Sequence, residues 1–351
     1  MKSPRTIRWI IAHYPVHLFI RTAEKFKIEL EKACPGEFDL EIHTMSSYVR
    51  KYNKFHEFNL TPPDISGLEY ADEAQIEDNE DRIRVKVKQW SEMKPKWESL
   101  FEGLESGDFE ISQTQVNIIG AYKDKNFHTV DLPFLFEDHD HVSRVLDGDI
   151  GDSLCANLAK NTGIRGLAFT YSGGYRVIGS KQRITNLSEL ATSKLLTATA
   201  HSNKLFDRAG LNTISRKCSD DSLADLATDD NSSIETTYLR FSGKHVLKTN
   251  HSMFTTTILT GSKFWDTLTL TQQDAFMKVA KIVARAEREW SVADAEKYEL
   301  DAKAKGINIV DISEEDRKLL QKSSEAIYSN IGNTGIDVDL VNSIIAKRSK
   351  H

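Results

Sequence analysis

The stretch that decides the fold class is Ile7–Thr44, which reads IRWIIAHYPVHLFIRTAEKFKIELEKACPGEFDLEIHT. Its first residues, Ile7–Ala12, form a mostly apolar run of the length of a short buried strand. Leu18–Ala33 places apolar residues at helical spacing with charged residues between them. Phe38–Thr44 alternates between apolar and polar residues, as a half-buried strand does. The order strand, helix, strand indicates an α/β protein.

A long helix is predicted near the other end of the chain. Apolar residues recur at helical spacing from Thr271 to Lys305, with Phe276 and Ile282 among them, and Gly306 follows as a stop signal. Thr271 followed by Asp274 resembles a capping box, which predicts Thr271 as the N-cap. By contrast, residues 48–81 carry two adjacent prolines, many acidic residues and no sustained period, which predicts a long surface insertion.

Size and composition exclude several classes of protein. The 351 residues are enough for two lobes with separate cores, and 39% hydrophobic and 28% charged residues are ordinary for a globular protein. The net charge of −6 with scattered Lys and Arg does not favour nucleic acid or an anionic membrane surface as partner. No apolar run approaches the roughly 20 residues that span a bilayer, so the chain is not expected to be membrane-embedded.

Three cysteines, Cys34, Cys155 and Cys218, lie far apart without the spacing of a zinc site or a disulfide framework. We expect them to be small buried side chains, and a single disulfide between two of them is the alternative. No cofactor is expected, because the sequence has no glycine-rich phosphate loop and no recognisable metal motif.

The segment Glu137–His141 concentrates acidic and histidine side chains after a Pro-Phe-Leu-Phe run. Two histidines at i and i+2 face different directions on a helix, so His139 and His141 cannot jointly face one ion there. Asp138 or Glu137 near the first turn suits the helix dipole and the free N–H groups. The pattern therefore predicts a solvated helix start and no metal site.

An ordered series of motifs resembles the solute-binding proteins of TRAP transporters, the DctP-like family. The series is listed here in chain order: Ile11–His13, Ala23–Phe26, Leu104–Phe109, Asp131–Phe136, Gly166–Ala168, Gly174–Arg176 with Ser180–Lys181, Thr249–Ser252 and Lys263–Leu268. Each motif is short, but their common order along most of the chain is specific. The chain looks like a divergent member of the family.

The resemblance implies a fold, a function and a location. The fold is an α/β, two-lobed, periplasmic-binding-protein-like fold with crossing strands and one long helix spanning both lobes. Lobe I is expected at 1–173 plus about 257–290, with the insertion at about 48–81, and lobe II at 174–256 plus about 291–351. The family captures a small organic anion in an interlobe cleft, in the periplasm, and works with TRAP membrane subunits. The most apolar early stretch, Ile7–Ile20, is broken by an arginine, two histidines and a proline, which makes it a poor signal peptide. We therefore expect the signal peptide to be absent from this sequence.

The expected ligand chemistry centres on arginine, because its planar fork gives a carboxylate two parallel charge-assisted hydrogen bonds. Arg176, in a Gly-Tyr-Arg motif, matches one family arginine. The family's other arginine falls on Leu196, which cannot pair with a carboxylate. Downstream, Glu235 matches the family pattern, whereas Thr236 replaces its asparagine.

Three interpretations of Leu196 stay open. The ligand lacks the usual carboxylate and places an apolar group against Leu196; another cation such as Lys194, Arg216 or His201 approaches; or binding is lost. We favour a changed ligand, since a small apolar wall is compatible with a formed pocket.

Further ligand-binding candidates follow from loops that face the cleft in the family pattern. They are His13, Tyr14, Gln113, Gln115, Tyr171, Asn250 and His251. For each of them a packing or hydrogen-bonding role in the loop is an equal alternative.

Two other functions compete with solute capture for transport. A degenerate or repurposed homologue would sense a ligand or bind a partner without serving transport. An enzyme is disfavoured, because no nucleophile elbow, His-Glu-x-x-His or Cys/His metal spacing is present.

Overall fold

The computed structural model describes residues 3–12, 16–52, 54, 97–191, 194–197, 199–215, 228–232 and 245–349. The chain divides into two compact units, each built from three chain segments. The first unit comprises Met1–Ile118, Gly151–Thr170 and Thr256–Glu287, and the second comprises Ile119–Ile150, Tyr171–Thr255 and Arg288–His351.

Strands and helices are numbered through the described residues. The strands are β1 Arg5–Ile11, β2 Phe38–Thr44, β3 Ile111–Gln115, β4 Ile164–Tyr175, β5 Val177–Ser180, β6 Lys194–Thr197, β7 Asn212–Ser215, β8 Thr228–Ser232, β9 His245–Lys248, β10 Met253–Gly261 and β11 Asn308–Asp311. The helices are α1 Val16–Ala33, α2 Met45–Lys51, α3 Trp97–Ser106, α4 Val116–Tyr122, α5 His139–Leu146, α6 Asp149–Thr162, α7 Leu187–Leu190, α8 Ala200–Arg208, α9 Ser262–Trp265, α10 Leu270–Ala304, α11 Glu314–Tyr328 and α12 Val338–Ile345. Two 3-10 helices occupy Lys125–Asp131 and Ile331–Thr334.

The first sheet has the strand order β2-β1-β3-β10-β4. β1 pairs in parallel with both β2 and β3, whereas β10 runs antiparallel to β3. The parallel neighbours β1 and β2 are connected by α1, so the predicted strand–helix–strand unit and the α/β class are confirmed. Phe276 of α10 makes edge-to-face contacts with Phe26, Phe38 and Phe264, which tie α10 and α1 into this unit's core.

The second sheet has the order β11-β9-β5-β8-β6-β7. β6 pairs in parallel with β7 and β8, and β5 runs antiparallel to β8 and β9. Val177 and Val246 pack together on neighbouring strands and are covered by Tyr298, Ile307 and Ile309. This sheet carries Leu196 on β6, and its strand β5 begins at Val177, the residue after Arg176.

Five of the described elements contain residues of both units: α4, α6, β4, β10 and α10. β4 passes from the first unit to the second at Thr170, β10 passes back at Thr255, and α10 passes to the second unit at Glu287. The predicted crossing strands and long helix are confirmed in these elements.

The N-terminus of α10 differs from the sequence prediction. The Thr269 hydroxyl accepts from Gln272 N at 3.2 Å, and Thr269 N donates to the Gln272 side chain at 2.9 Å, which forms a capping box two residues earlier than expected. Thr271 is therefore inside the helix and the N-cap prediction was wrong. Ile282 belongs to the apolar pattern of the sequence, but it is 49% exposed and does not lie on the buried face of the helix.

Residues 119–150 lie in the second unit, whereas the sequence prediction placed them in lobe I. Long-range hydrogen bonds hold them there. The Tyr328 hydroxyl of α11 donates to Pro133 O, and a ring nitrogen of His141 lies 2.9 Å from Ile344 O of α12. Sequence periodicity carries no information on partners two hundred residues away.

The predicted insertion begins differently. Tyr48 lies in α2, is fully buried and donates its hydroxyl to Asp108 O at 2.8 Å. The start of the insertion at residue 48 was therefore wrong, and nearly all of residues 52–81 lie outside the described residues. Cys34 and Cys155 are buried thiols, and Cys218 lies outside that part of the chain. In the described ranges, no helix is long and apolar enough to cross a bilayer.

Candidate functional site

Arg176 is a buried cation in the second unit, at the junction of β4 and β5. Its side chain is 1% exposed, and its backbone N–H donates to Ser252 O at 2.9 Å. Nε and Nη2 of its guanidinium donate to Asp131 Oδ1 at 3.4 and 3.3 Å. The guanidinium carbon lies 4.0 Å from the centroid of the Phe254 ring, close enough for a cation–π interaction.

Asp131 is the counter-ion of Arg176 and ends the 3-10 helix Lys125–Asp131. Its side chain is 1% exposed, and within the described residues its Oδ2 has no hydrogen-bond partner. Burial raises the pKa of this carboxyl above its ordinary value, and the positive charge of Arg176 opposes that rise. Asp131 was not among the residues predicted from the sequence.

Two strained backbone positions meet beside this ion pair. Phe134 has φ 54° and Asn250 has φ 46°, a region that side-chain-bearing residues rarely adopt. Phe134 N donates at 2.7 Å to the carbonyl of His251, the neighbour of Asn250. Asn tolerates this conformation, whereas for phenylalanine it is an outlier of the kind that accumulates at functional sites.

His251 is fully buried in the same cluster. Its Nδ1 lies 2.8 Å from the Thr249 hydroxyl, and the Phe206 ring meets its ring edge-on at 4.9 Å. Burial and then the charge of Arg176 lower the pKa of His251 to about 3. His251 is therefore neutral near pH 7. The cluster around Arg176 contains three residues predicted from the sequence, Arg176, Asn250 and His251. It also contains two that were not predicted, Asp131 and Phe134.

Tyr171 forms a second group in this unit, with the histidine at the start of α5. The Tyr171 hydroxyl lies 3.3 Å from His139 Nδ1, and the His139 ring is 5.4 Å from the rings of both Tyr171 and Tyr175. Burial lowers the pKa of His139, and the negative charges of the neighbouring Asp138 and Asp140 offset part of that decrease.

The histidine-rich segment is a helix start, as predicted, with exposed acidic residues and less exposed histidines. Asp138 caps α5 by accepting from His141 N at 2.7 Å. The side chain of His141 is fully buried and its ring faces the carbonyl of Ile344. Glu137, Asp138 and Asp140 are exposed, as predicted, whereas His139 is half-buried, so the prediction was wrong for the two histidines alone. Across the described part of the chain, no group of three His, Cys, Asp or Glu side chains is placed to hold a metal ion.

Gln113 and Gln115 lie within β3 rather than after it. Gln113 is 1% exposed and its amide donates to the hydroxyls of Thr170 at 2.7 Å and Thr256 at 3.3 Å. Those two hydroxyls are 2.6 Å apart. In the first unit Gln113 thus forms part of a buried polar link across the sheet, which corrects its predicted position in a loop.

Leu196 is 1% exposed on β6, opposite Ile214 of β7. Of the cations considered in its place, Lys194 is exposed at the start of β6. His201 is buried, and burial, followed by the charges of His128 and Lys204, lowers its pKa to about 3. His201 is therefore neutral near pH 7, which contradicts its interpretation as a replacement cation.

Five predicted residues lie outside the described residues: His13, Tyr14, Arg216, Glu235 and Thr236. Among the described ones, sequence reasoning missed Asp131, Phe134 and Phe254. The available signal for Asp131 was a carboxylate between Val130 and the apolar run Leu132–Phe136, where burial without a partner is costly.

Comparison with known proteins gives a family match over most of the chain. The model of the DctP family, described as bacterial extracellular solute-binding protein, family 7, matches residues 61–215 and 231–334. The C4-dicarboxylate-binding periplasmic protein DctP of Vibrio cholerae is 24% identical over 189 residues, which is 52% of this chain and 56% of the relative. Matches to the curated relatives span only 26% to 56% of their length.

Solved structures match over nearly the whole chain. The sugar acid binding protein DctPAm of Advenella mimigardefordensis, in complex with galactonate, has a TM-score of 0.74 at 18% identity and covers 99% of this chain and 98% of its own. A TRAP periplasmic solute-binding protein of Desulfovibrio desulfuricans, with bound sn-glycerol-3-phosphate, has a TM-score of 0.74 at 14% identity, with the same coverage. At these identities the likeness shows the fold.

The two α/β units, sharing two crossing strands and one long helix, have the fold of two-lobed ligand-binding proteins. Because the family model matches well over half of the sequence, the chain belongs to the bacterial extracellular solute-binding proteins of family 7, the DctP-like solute-binding proteins of TRAP transporters. Proteins of this family bind small molecules for transport together with membrane components.

Proposed function

We propose that this protein captures a small organic anion in the periplasm and delivers it to TRAP membrane subunits, without chemical turnover. Family membership supports the class of function. The ligands bound by its structural neighbours, galactonate and sn-glycerol-3-phosphate, support the class of ligand, since both are polar anions. Candidate ligands are accordingly organic acids, sugar acids and related anions.

The observation that carries the proposal is the buried guanidinium of Arg176. A cation with 1% exposure is surrounded by a medium of low dielectric constant, where a charged hydrogen bond to an anion is much stronger than in water. Phe254 covers one side of the guanidinium plane and restricts the directions from which a ligand can approach. Because Arg176 is buried, ligand entry requires the residues that cover it to move.

The apolar Leu196 supports an atypical ligand within this class. A carboxylate held by a single arginine loses one pair of charged hydrogen bonds, and the remaining affinity must come from other groups. We propose that an apolar part of the ligand lies against Leu196, while Arg176 holds its acidic group. Tyr171, Asn250 and His251 are the further described residues proposed to line the site.

A thermal-shift screen followed by titration calorimetry tests the function. The screen contains galactonate, sn-glycerol-3-phosphate, succinate, aromatic and branched carboxylic acids, and matched uncharged alcohols. A ligand at a hundredfold excess over its Kd stabilises the folded state by about 2.7 kcal/mol and raises the Tm. We expect acids with an apolar part to give the largest shifts and the uncharged alcohols to give none.

Absence of any shift across the acids would contradict solute capture. It would favour the alternative, a homologue that senses a different ligand or binds a partner outside transport. Conversion of a bound compound into product would contradict the assignment as a non-enzymatic binding protein.

A further inference from the structure

Asp131 is a feature that a simple anion site does not need. It presents Oδ1 to the guanidinium of Arg176 at 3.3 and 3.4 Å, longer than the roughly 2.7–2.9 Å of a strong charge-assisted hydrogen bond. In the described chain its Oδ2 is buried without a hydrogen-bond partner. The protein thus already holds one negative charge at the arginine proposed to bind the ligand, and holds it loosely.

The charged and titratable groups around Asp131 come from several elements of the second unit. Arg176 faces it from the β4–β5 junction, and His251, which is neutral near pH 7, is close enough to Arg176 for its charge to lower the histidine pKa. Arg348 donates to the carbonyls of Phe134 and Leu135 at 2.8 and 3.0 Å. Its guanidinium therefore stabilises the turn that follows Asp131.

The turn that follows Asp131 is also held from α11. The hydroxyl of Tyr328 donates to the carbonyl of Pro133, and burial raises the pKa of this tyrosine, so it is uncharged near neutral pH. Of the described cations, Arg176 is therefore the one that hydrogen-bonds to the Asp131 carboxylate.

We propose that Asp131 is a specificity-determining residue, and that a ligand carboxylate binds Arg176 only together with the uptake of one proton by Asp131. The inference rests on the proposed function of Arg176 as the anion-binding residue.

The physical reason is the repulsion between two carboxylates at one guanidinium. A second negative charge a few ångströms away, in a buried site, strongly disfavours ionisation of one of the two acids. Asp131 is the one to take the proton, because burial already favours its neutral form and its Oδ2 is available to carry the hydrogen. The protonated Asp131 then donates a hydrogen bond to the ligand carboxylate, whereas an ionised Asp131 would repel it.

This coupling makes a definite prediction for the pH dependence of binding. Each binding event takes up one proton, so affinity falls by up to tenfold for each pH unit above the pKa of Asp131. It also predicts a preference for monocarboxylates over dicarboxylates, because a second ligand charge finds no cation in the Asp131–Arg176 pair.

The test measures proton uptake on binding by titration calorimetry on the full chain, with galactonate and succinate as probes at neutral pH. The binding enthalpy is measured in Bis-Tris and in Tris, whose ionisation enthalpies differ, and the difference gives the number of protons taken up. We expect close to one proton per bound ligand molecule in the wild type and close to zero in Asp131→Asn. The affinity of that variant should be nearly independent of pH between about 5.5 and 8, a range over which an ordinary ligand carboxylate stays ionised.

Glu110→Gln is the matched control. Glu110 is another buried carboxylate paired with an arginine, 2.7 Å from Arg8 in the first unit, and it should leave the proton uptake unchanged. Should Asp131→Asn fail to fold, the absence of proton uptake in the wild type still overturns the role of Asp131.

The outcomes separate the two proposals. Binding without proton uptake, or with uptake that survives Asp131→Asn, overturns the role of Asp131 and leaves the proposed function intact. If neither these probes nor any other acid of the screen binds the wild type even at pH 5.5, the carboxylate site itself is refuted, and the role of Asp131 with it.

Discussion

Arg176 shows at the residue scale how a buried charge is tolerated. Removing an ion from water costs several kcal/mol, which is recovered only with a partner at close range and well-placed hydrogen bonds. Asp131 provides the opposite charge and Phe254 provides a polarisable ring face. Such a pair is weak evidence for stability by itself, but it holds a guanidinium in a fixed orientation.

Arg176→Ala is expected to weaken ligand binding by ~10² or more, because charged hydrogen bonds of roughly 1.5–3 kcal/mol each are lost. Calorimetric titration of the best ligand from the screen measures the change. Arg183→Ala, at an exposed arginine of the same unit, is the control and should bind as the wild type does. An unchanged affinity in Arg176→Ala would remove this residue from the site.

The alanine variant leaves Asp131 as an unpaired buried charge, so its fold must be checked by circular dichroism. Arg176→Lys complements it. Lysine keeps the charge without the planar fork, and an intermediate loss of affinity is expected.

Leu196→Arg is expected to abolish binding of the native ligand, because a guanidinium would replace the apolar wall. The same change should improve affinity for simple carboxylates such as succinate, which gain a second arginine. Lys194→Arg, at the exposed start of the same strand, serves as control. Retention of native affinity in Leu196→Arg would show that β6 does not contact the ligand.

The sequence could predict part of the candidate site and not the rest. Arg176 was found because it stands in a Gly-Tyr-Arg motif, a local signal. Asp131 and Phe134 were missed because their partners, Arg176 and His251, lie far along the chain. A propensity or a spacing rule describes neighbours, and it does not report that a carboxylate will be buried against a distant guanidinium.

At the scale of elements, α10 shows both the strength and the limit of periodicity. Its 35 residues were predicted to within one residue at each end, because Phe276 and the apolar residues after it recur at helical spacing and Gly306 follows. The cap was misassigned, because Thr269 and Thr271 both have a polar residue three positions later. The choice between them depends on side-chain geometry.

Thr269→Ala is expected to lower the free energy of unfolding by about 1 kcal/mol, the usual cost of losing an N-cap. Thr271→Ala, at an exposed position within the first turn, should change stability by less than half as much. Urea denaturation of the two variants makes the comparison. A larger loss of stability in Thr271→Ala than in Thr269→Ala would instead identify Thr271 as the N-cap, as inferred from the sequence.

At the scale of the whole molecule, buried histidines link stability to pH. The pKa values of His201 and His251 are lowered to about 3, so both stay neutral in the folded protein at mildly acidic pH. In the unfolded chain they take up protons near pH 6.5, so the unfolded state gains protons that the folded state lacks. Stability therefore falls as the pH decreases below about 6.5.

Between pH 6 and 5 the two histidines together should lower the free energy of unfolding by about 2 kcal/mol. Denaturation at the two pH values measures it. His201→Asn and His251→Asn should each remove about half of the difference. An equal pH dependence in wild type and variants would show that these side chains are protonated in the folded protein.

The division of the chain has an evolutionary consequence. The backbone leaves one compact unit for the other at residues 118, 150, 170, 255 and 287, so that neither unit is a continuous stretch of the gene. Recombination at a single point cannot exchange one unit for that of a homologue, and truncation cannot isolate one. New ligand specificity in such a chain is therefore expected to arise by single substitutions rather than by exchange of whole units.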